Sequence, residues 1–484
     1  MSPEQTGRMN RAIDYRTDLY SLGVTFYEML TGILPFQATE PLELVHCHIA
    51  KQPLPPRQLN PEIPQAVSEI VMKLLSKTAE DRYQSAYGLK ADLEQCLDLL
   101  QATGHSQAEP RNEENFILGQ QDLFSQFLIP QKLYGREEEV VTLMDAFERV
   151  SQGKTEMMLV SGYSGIGKSS LVNEVHKPIV GARGYFISGK FDQFKRNIPY
   201  SSLIQAFQSL LRQLLTESSE NLATWKSKLL EAFASNGRVI IDVIPEVELI
   251  VGKQPDVTSL GPTESQNRFN RVFQEFIQVF TKPEHPLVLF LDDLQWADSA
   301  SLKLMTLLMS DPDSQYLLLI GAYRDNEVSA THPLIHTLDQ IHSYGTAVTN
   351  IILQPLDISN VSQLVADTLG ETHSQADQWS RRSSPLAELV FNKTQGNPFF
   401  LTQLLQSLHS EKLLTFDFTP QSGGWQWDIA QIQAVGITDY NVVELIARNI
   451  QKLPIETQKV LKLASCIGRV RASQSGLTQG SRRI

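Results

Sequence analysis

Cysteine is the rarest residue in this sequence. There are three in 484 residues, Cys47, Cys96 and Cys466, far apart and in no paired spacing. That excludes a disulfide framework and offers no zinc-ligand pattern. Long apolar runs are missing as well. No stretch approaches the ~20 residues that cross a bilayer, and the opening MSPEQTGRMN is polar, without the apolar centre of a secretory signal. The expectation is a reducing, cytoplasmic setting with no membrane. Positive charge is in deficit, 42 Lys and Arg against 54 Asp and Glu for a formal charge of −12. Such a surface does not attract nucleic acid as a whole, although a local basic patch still can. Otherwise the composition is that of a globular protein, 42% hydrophobic and 20% charged. The length calls for about two or three domains.

Residues 1–96 read as helical. In DLYSLGVTFYEMLTG, Leu19, Leu22, Phe26, Met29 and Leu30 recur at helical spacing until Gly32 and Pro35 stop the pattern. A Pro-rich stretch separates this from VSEIVMKLLSK, and AYGLKADLEQCLDLL closes the region. From 100 to 130 the chain turns polar and reads as a linker, with Phe116, Ile117 and Leu118 available to hold a neighbour. Beyond Leu133 short apolar runs alternate with helical patterns: MMLVS (157–161), GYFIS (184–188), PLVLFL (286–291), YLLLIGAY (316–323) and NIILQPL (350–356). Near-continuous apolar runs are what strands buried on both faces require, so the pattern predicts an α/β fold with a mainly parallel sheet. Residues 190–285 read as a helical insertion, and past 360 the chain is helical again.

Gly162-Tyr163-Ser164-Gly165-Ile166-Gly167-Lys168-Ser169 matches the full G-x-x-x-x-G-K-[ST] pattern, with a strand before it and a helix after it. Its glycines let backbone N–H groups close around phosphate oxygens. Lys168 brings a point charge to the β/γ-phosphates, and the Ser169 hydroxyl can ligate Mg2+. The following helix, SSLVNEVHK, with Ser170 in its first turn, aims its dipole at the same anion. In LVLFLDDLQWAD an apolar strand ends in Asp292-Asp293. Asp292 is the expected magnesium residue, directly or through water, and Asp293 the one that orients or deprotonates the attacking water. Arg324 follows the next strand. It is either a γ-phosphate sensor, since a guanidinium makes bidentate bonds to phosphate, or a surface ion-pair partner of Asp325 or Glu327. ATP or ADP with Mg2+ is the expected ligand set.

Residues 133–465 resemble the AAA-like ATPase of the signal-transduction ATPases with numerous domains. LYGREEEVVTL resembles that family's segment before the P-loop, whose Gly135-Arg136-Glu137 core would lie near the adenine. GNPFFLTQLL resembles its Gly-x-Pro element, in which Pro398 would touch the base. The resemblance implies a nucleotide held between a sheet domain and a helical lid, closed with ADP and open with ATP, with slow hydrolysis. It also implies protein partners in signalling and nucleotide-dependent self-association. Residues 441–465 would begin a winged helix.

The N-terminal region resembles the C-lobe of a Ser/Thr protein kinase, entered just after the activation loop. Ser2-Pro3-Glu4 stands where that family has Ala-Pro-Glu, Asp18 matches the buried aspartate of the central C-lobe helix, and Arg82 matches the arginine that pairs with the Glu4 position. The 484 residues hold no Gly-rich kinase loop, His-Arg-Asp loop or Asp-Phe-Gly motif. Phosphoryl transfer needs the catalytic-loop and metal-binding aspartates together, so kinase activity is not expected of this chain. The combined order resembles a bacterial, cyanobacterial-type signalling family in which a Ser/Thr kinase, an ATPase, a GAF sensor and a histidine kinase share one chain. A Ser/Thr kinase in a longer parent and a DNA-associated AAA ATPase stand as alternative readings.

The expected organisation is therefore a partial kinase C-lobe (1–99), a linker (100–130), an AAA-like P-loop ATPase (131–360) and a helical lid with the start of a winged helix (361–467). Residues 468–484 carry four arginines and no acid, and read as a frameshifted or truncated end or as a native flexible tail. His46-Cys47-His48 is not taken as a metal site, because adjacent helical residues point in different directions. Trp425 and Trp427 are expected to pack a hairpin or loop.

Overall fold

The computed structural model describes residues 1–6, 13–38, 41–103, 116–120, 122, 126–176, 179, 184–194, 198–371, 376–417, 424–434, 450–451 and 453–466. The first lobe is helical. Helix Arg16–Thr31 lies on helix Gln65–Leu74 and buries Leu19 against Ile70 and Leu74, and Tyr20 and Tyr27 against Val71 and Leu75. It ends at Gly32, whose left-handed φ of 74° lets its N–H reach back to the Glu28 carbonyl.

The lobe is pinned by one buried ion pair. Arg82 Nη1 and Nη2 each donate to a Glu4 carboxylate oxygen at 2.8 Å, and Thr17 Oγ1 donates to Glu4 Oε1 at 2.7 Å. Burial alone would raise the Glu4 carboxyl. The Arg82 guanidinium and the Thr17 hydroxyl outweigh it and hold the group at about 2. This is the pairing that the kinase resemblance implies. Asp18 departs from it: its side chain is exposed, not buried. It stands in the first turn of its helix, off the stripe of Leu19, Tyr20, Gly23 and Tyr27 that meets the lobe core.

Of the stretch expected as a linker, residues 100–103, 116–120, 122 and 126–130 are described. Helix Ala86–Thr103 carries past residue 100. Phe116 and Leu118 then pack on the lobe core while Ile117 faces solvent. Asp122 accepts hydrogen bonds from the Gln84 N–H and the Ser85 hydroxyl, each at 2.7 Å.

The second unit is built on five parallel strands, β1 (Thr155–Ser161), β2 (Tyr185–Lys190), β3 (Leu287–Asp292), β4 (Leu317–Tyr323) and β5 (Ala347–Ile352), in the order β2-β3-β4-β1-β5. The first four coincide closely with the apolar runs, whereas β5 begins three residues before NIILQPL, shares only 350–352 with it and is mostly not buried. Alternate residues serve opposite faces. Met157, Leu289 and Leu319 meet the insertion helices, such as Ser201–Leu214 and Pro262–Gln278, while Met158, Val288 and Ile320 meet helices Glu137–Ser151 and Lys168–Glu174. β3 and β4 are buried along their whole length, which is why they carry no polar alternation.

The third unit is a helical lid: Ile358–Thr368, Ala376–Thr394 and Pro398–Ser410, with a hairpin of β6 (Leu414–Asp417) and β7 (Gly424–Trp427). Trp425 is buried in its core and Trp427 packs beside it. Of the segment expected to begin a winged helix, residues 441–449 and 452 lie outside the described residues and helix Ile455–Cys466 lies within them, while the tail 468–484 lies outside them.

The pair Glu4–Arg82 sets a prediction. Removing one partner strands a buried charge, so Arg82→Ala is expected to destabilise the helical lobe by about 3–5 kcal/mol in a denaturant titration. Because the folded carboxyl sits near 2 against an ordinary 4.5, its stabilisation is full above about pH 4.5 and is lost as pH falls toward 2. Glu4→Gln is expected to flatten that acid limb, followed by circular dichroism.

Candidate functional site

The strand order sets the site. β1 and β3 flank β4, so the carboxyl ends of all three open on one edge of the sheet, where open α/β sheets hold their ligands. β1 ends at Ser161, and the loop that follows turns on Gly162, Gly165 and Gly167, with φ of 147°, 78° and 101°. Side chains other than glycine rarely adopt such angles. Helix Lys168–Glu174 starts directly afterwards. Lys168 is largely buried and its Nζ donates to the Gly162 and Tyr163 carbonyls at 2.7 and 2.9 Å. Burial draws its ammonium below the usual lysine value, with Asp292 opposing that shift.

At the end of β3, Asp292 Oδ2 accepts from Ser169 Oγ at 3.0 Å. A hydroxyl and a carboxylate in contact are hard oxygen donors, the set Mg2+ takes when it keeps several waters and binds substrate phosphates. The left-handed glycine cradle likewise fits a polyphosphate. The residues therefore suit both groups. Asp293 is buried, with φ of 56°, a conformation aspartate tolerates better than most residues. Its Oδ1 accepts from Gln295 Nε2 at 2.9 Å.

Arg324, after β4, makes one of the ion pairs open to it and also reaches the acidic pair. Its Nη1 pairs with Glu327 at 2.7 Å, its Nε lies 3.5 Å from Asp293 Oδ1, and its guanidinium sits over the Trp296 ring.

The lid closes over the loop. Phe399 N–H donates to the Gly165 carbonyl at 3.2 Å and Asn397 Nδ2 to the Ser164 carbonyl at 3.1 Å. The approach is so close that a Cβ on Gly165 would stand 2.7 Å from the Phe399 Cβ. Beside this clasp is a cavity of about 880 Å³, lined by Arg136, Ile166, Gly167, Ser170 and Pro398 and walled by residues 127–134. Arg136 is tied to the Gln354 carbonyl, and Gly135 (φ 57°) packs on Asn360 of the lid rather than lining the cavity. Tyr163 is exposed at the loop tip. The structure thus collects Lys168, Ser169, Asp292, Asp293 and Arg324 at the sheet edge, and Arg136, Ser170 and Pro398 around the cavity next to it.

Residues 132–320 match the model of the AAA ATPase domain. The sheet, the loop and the match agree on an AAA-type ATPase domain. Over 97% of its length the chain is 36% identical to Hybrid signal transduction histidine kinase G of Dictyostelium discoideum, of which it covers 15%. Over 93 residues, 19% of the chain, it is 40% identical to the serine/threonine-protein kinase PknB of Mycobacterium leprae, of which it covers 15%. Among solved structures, Cdc6p from Pyrobaculum aerophilum aligns at 12% identity and a TM-score of 0.35, over 60% of this chain and 66% of that one. That likeness is too slight to add to the reading. The chain spans between 13% and 22% of the curated relatives' own length. No helix among the described residues is long and apolar enough to cross a membrane.

Two features of the site went unread in the sequence. Lys190, the last residue of β2, puts its Nζ 3.4 Å from Asp292 Oδ2 and 3.1 Å from Asp293 Oδ2. Burial works against the charge, but the two carboxylates raise its pKa overall. Its signal was available, since a polar residue closing a parallel strand faces the same edge as the phosphate loop. Asn397 carried the other signal, a cap residue before Pro398 at the first helical turn.

Lys190 would compete with a divalent cation for the same carboxylates. Lys190→Ala is therefore expected to lower, several-fold, the Mg2+ concentration that half-saturates ATP binding, measured by titrating Mg2+ at fixed nucleotide. An unchanged or higher Mg2+ requirement would show that the lysine does not oppose the metal.

Proposed function

We propose that this chain is the nucleotide-binding switch of a signalling protein, holding Mg-ATP between its sheet domain and its lid and hydrolysing it slowly. The observation that carries the reading is the clasp of the Asn397–Phe399 segment on the carbonyls of Ser164 and Gly165. A switch must tie its phosphate site to an element that can move, and here the lid bonds directly to the phosphate loop.

In this reading Lys168 holds the β/γ-phosphates and Ser169 with Asp292 holds the metal. Asp293 orients the attacking water, and Arg324 exchanges Glu327 for the γ-phosphate. Gly162, Tyr163, Ser164, Gly165, Ile166 and Gly167 wrap the phosphates. Arg136, Ser170 and Pro398 face the nucleoside side, with Gly135 setting the backbone. When bound, the magnesium ion would neutralise charge on the phosphate oxygens. Protein partners and nucleotide-dependent self-association follow from the signalling role.

A second reading, Ser/Thr kinase activity in a longer parent chain, is favoured by the Glu4–Arg82 pair and by the serine/threonine-protein kinase name of a relative matched over 93 residues. A DNA-associated ATPase is disfavoured by the charge of −12.

ATP and ADP affinities with and without Mg2+ test the main reading. Lys168→Ala is expected to weaken ATP binding roughly 10- to 100-fold, the worth of charge-assisted bonds at ~1.5–3 kcal/mol. Asp292→Ala is expected to abolish the Mg2+ dependence. Nucleotide binding that survives Lys168→Ala unchanged would move the site elsewhere.

A further inference from the structure

Residues 126–134, which form neither helix nor strand, lie between the helical lobe and the sheet domain and touch three bodies at once. On one side they wall the 880 Å³ cavity. On the other side Leu128, Ile129 and Gln131 border a separate cavity of about 210 Å³, which they share with Glu4, Arg16 and Lys77 of the helical lobe. The same three residues therefore separate the nucleotide cavity from the lobe's buried ion-pair cluster, with one chain thickness between them.

The two sides are not packed alike. Toward the lid the fit is close. The Phe127 ring stacks on His409 at 4.3 Å and 6° and meets the edge of Trp425 at 5.6 Å. Tyr134, buried, donates to Asp367 Oδ2 at 2.9 Å, and Lys132 pairs with the same carboxylate. Toward the lobe the Gln131 N–H donates to Glu80 Oε1 at 3.2 Å beside the smaller cavity, which Ile13, Leu128 and Ile129 also line. The Phe127 stack and the Tyr134 and Lys132 ties to Asp367 give the strap more points of attachment to the lid than the Glu80 bond gives it to the lobe.

We propose that the strap 126–134 travels with the lid and reports the nucleotide state to the helical lobe by making or breaking the Glu80 seam. This rests on the switch reading above. Docking of the lobe and nucleotide affinity are then one coupled equilibrium, and the coupling is reciprocal. The lobe, seated on the strap while the lid clasps the phosphate loop, favours whichever nucleotide prefers the clasped lid. ADP is the probe.

Hydrogen exchange on the whole chain, with and without Mg-ADP, tests this alongside ADP affinities for Glu80→Ala and Glu80→Gln. In the unmodified chain, exchange is expected to slow both in residues 127–136 and in residues 77–84. In Glu80→Ala the strap should still respond, the lobe should not, and ADP should bind about fivefold more weakly or worse, the lower range of allosteric coupling. Glu80→Gln keeps the acceptor oxygen and should restore both behaviours, separating the seam from a folding defect. If the strap slows with Mg-ADP while residues 77–84 stay unchanged in the unmodified chain, the coupling is overturned and the nucleotide site stands. If ADP neither binds nor slows exchange anywhere, the switch reading fails and this proposal fails with it.

Discussion

The hydrogen bond from Ser169 to Asp292 joins residues 123 positions apart, and the rest of the site depends on it. It exists because two apolar strands, separated by β4, end level with one another at the same edge of a parallel sheet. The burial of β3 and β4 from end to end holds that level. With it held, a carboxylate meets the first turn of the helix after the phosphate loop, a second carboxylate stands next to it, and Arg324 arrives from the intervening strand. Shift one strand by a residue and every side chain changes face, so Ser169 and Asp292 would part.

The lid adds a weaker, breakable layer. Its contact with the loop consists of hydrogen bonds to two loop carbonyls over a close glycine, whereas its own interior is a continuous core of leucines around Trp425. A body that is rigid within and lightly held at one edge tends to move as a unit. Arg324 belongs to the same logic, shared between Glu327 and Asp293 where a γ-phosphate would compete.

Much of this was legible in the sequence because the chemistry is local. The phosphate loop, the acidic pair at the end of LVLFL and the five apolar runs each announce themselves within ten residues. The kinase-like pairing of Glu4 with Arg82 spans 78 positions but carries its own motif at both ends. What stayed hidden depends on tertiary packing. Nothing near Asp18 tells that its side chain faces solvent. The sequence of the linker does not say that Asp122 will reach Gln84, nor that Phe127 will stack on His409. Lys190 looks like any strand-end lysine until β2 is laid against β3 and its neighbour proves to be Asp292.

The central claim is that nucleotide state moves the lid relative to the sheet. The most direct test is a distance between Asp313, exposed beyond the end of a sheet-domain helix, and Ser410, exposed at the end of the lid helix. Spin labels introduced through Asp313→Cys and Ser410→Cys would report it by pulsed electron resonance under Mg-ADP and under a non-hydrolysable Mg-ATP analogue. The account predicts two distinct distance distributions that merge into one in Lys168→Ala. A single distribution in both nucleotides, with both shown to be bound, would contradict it.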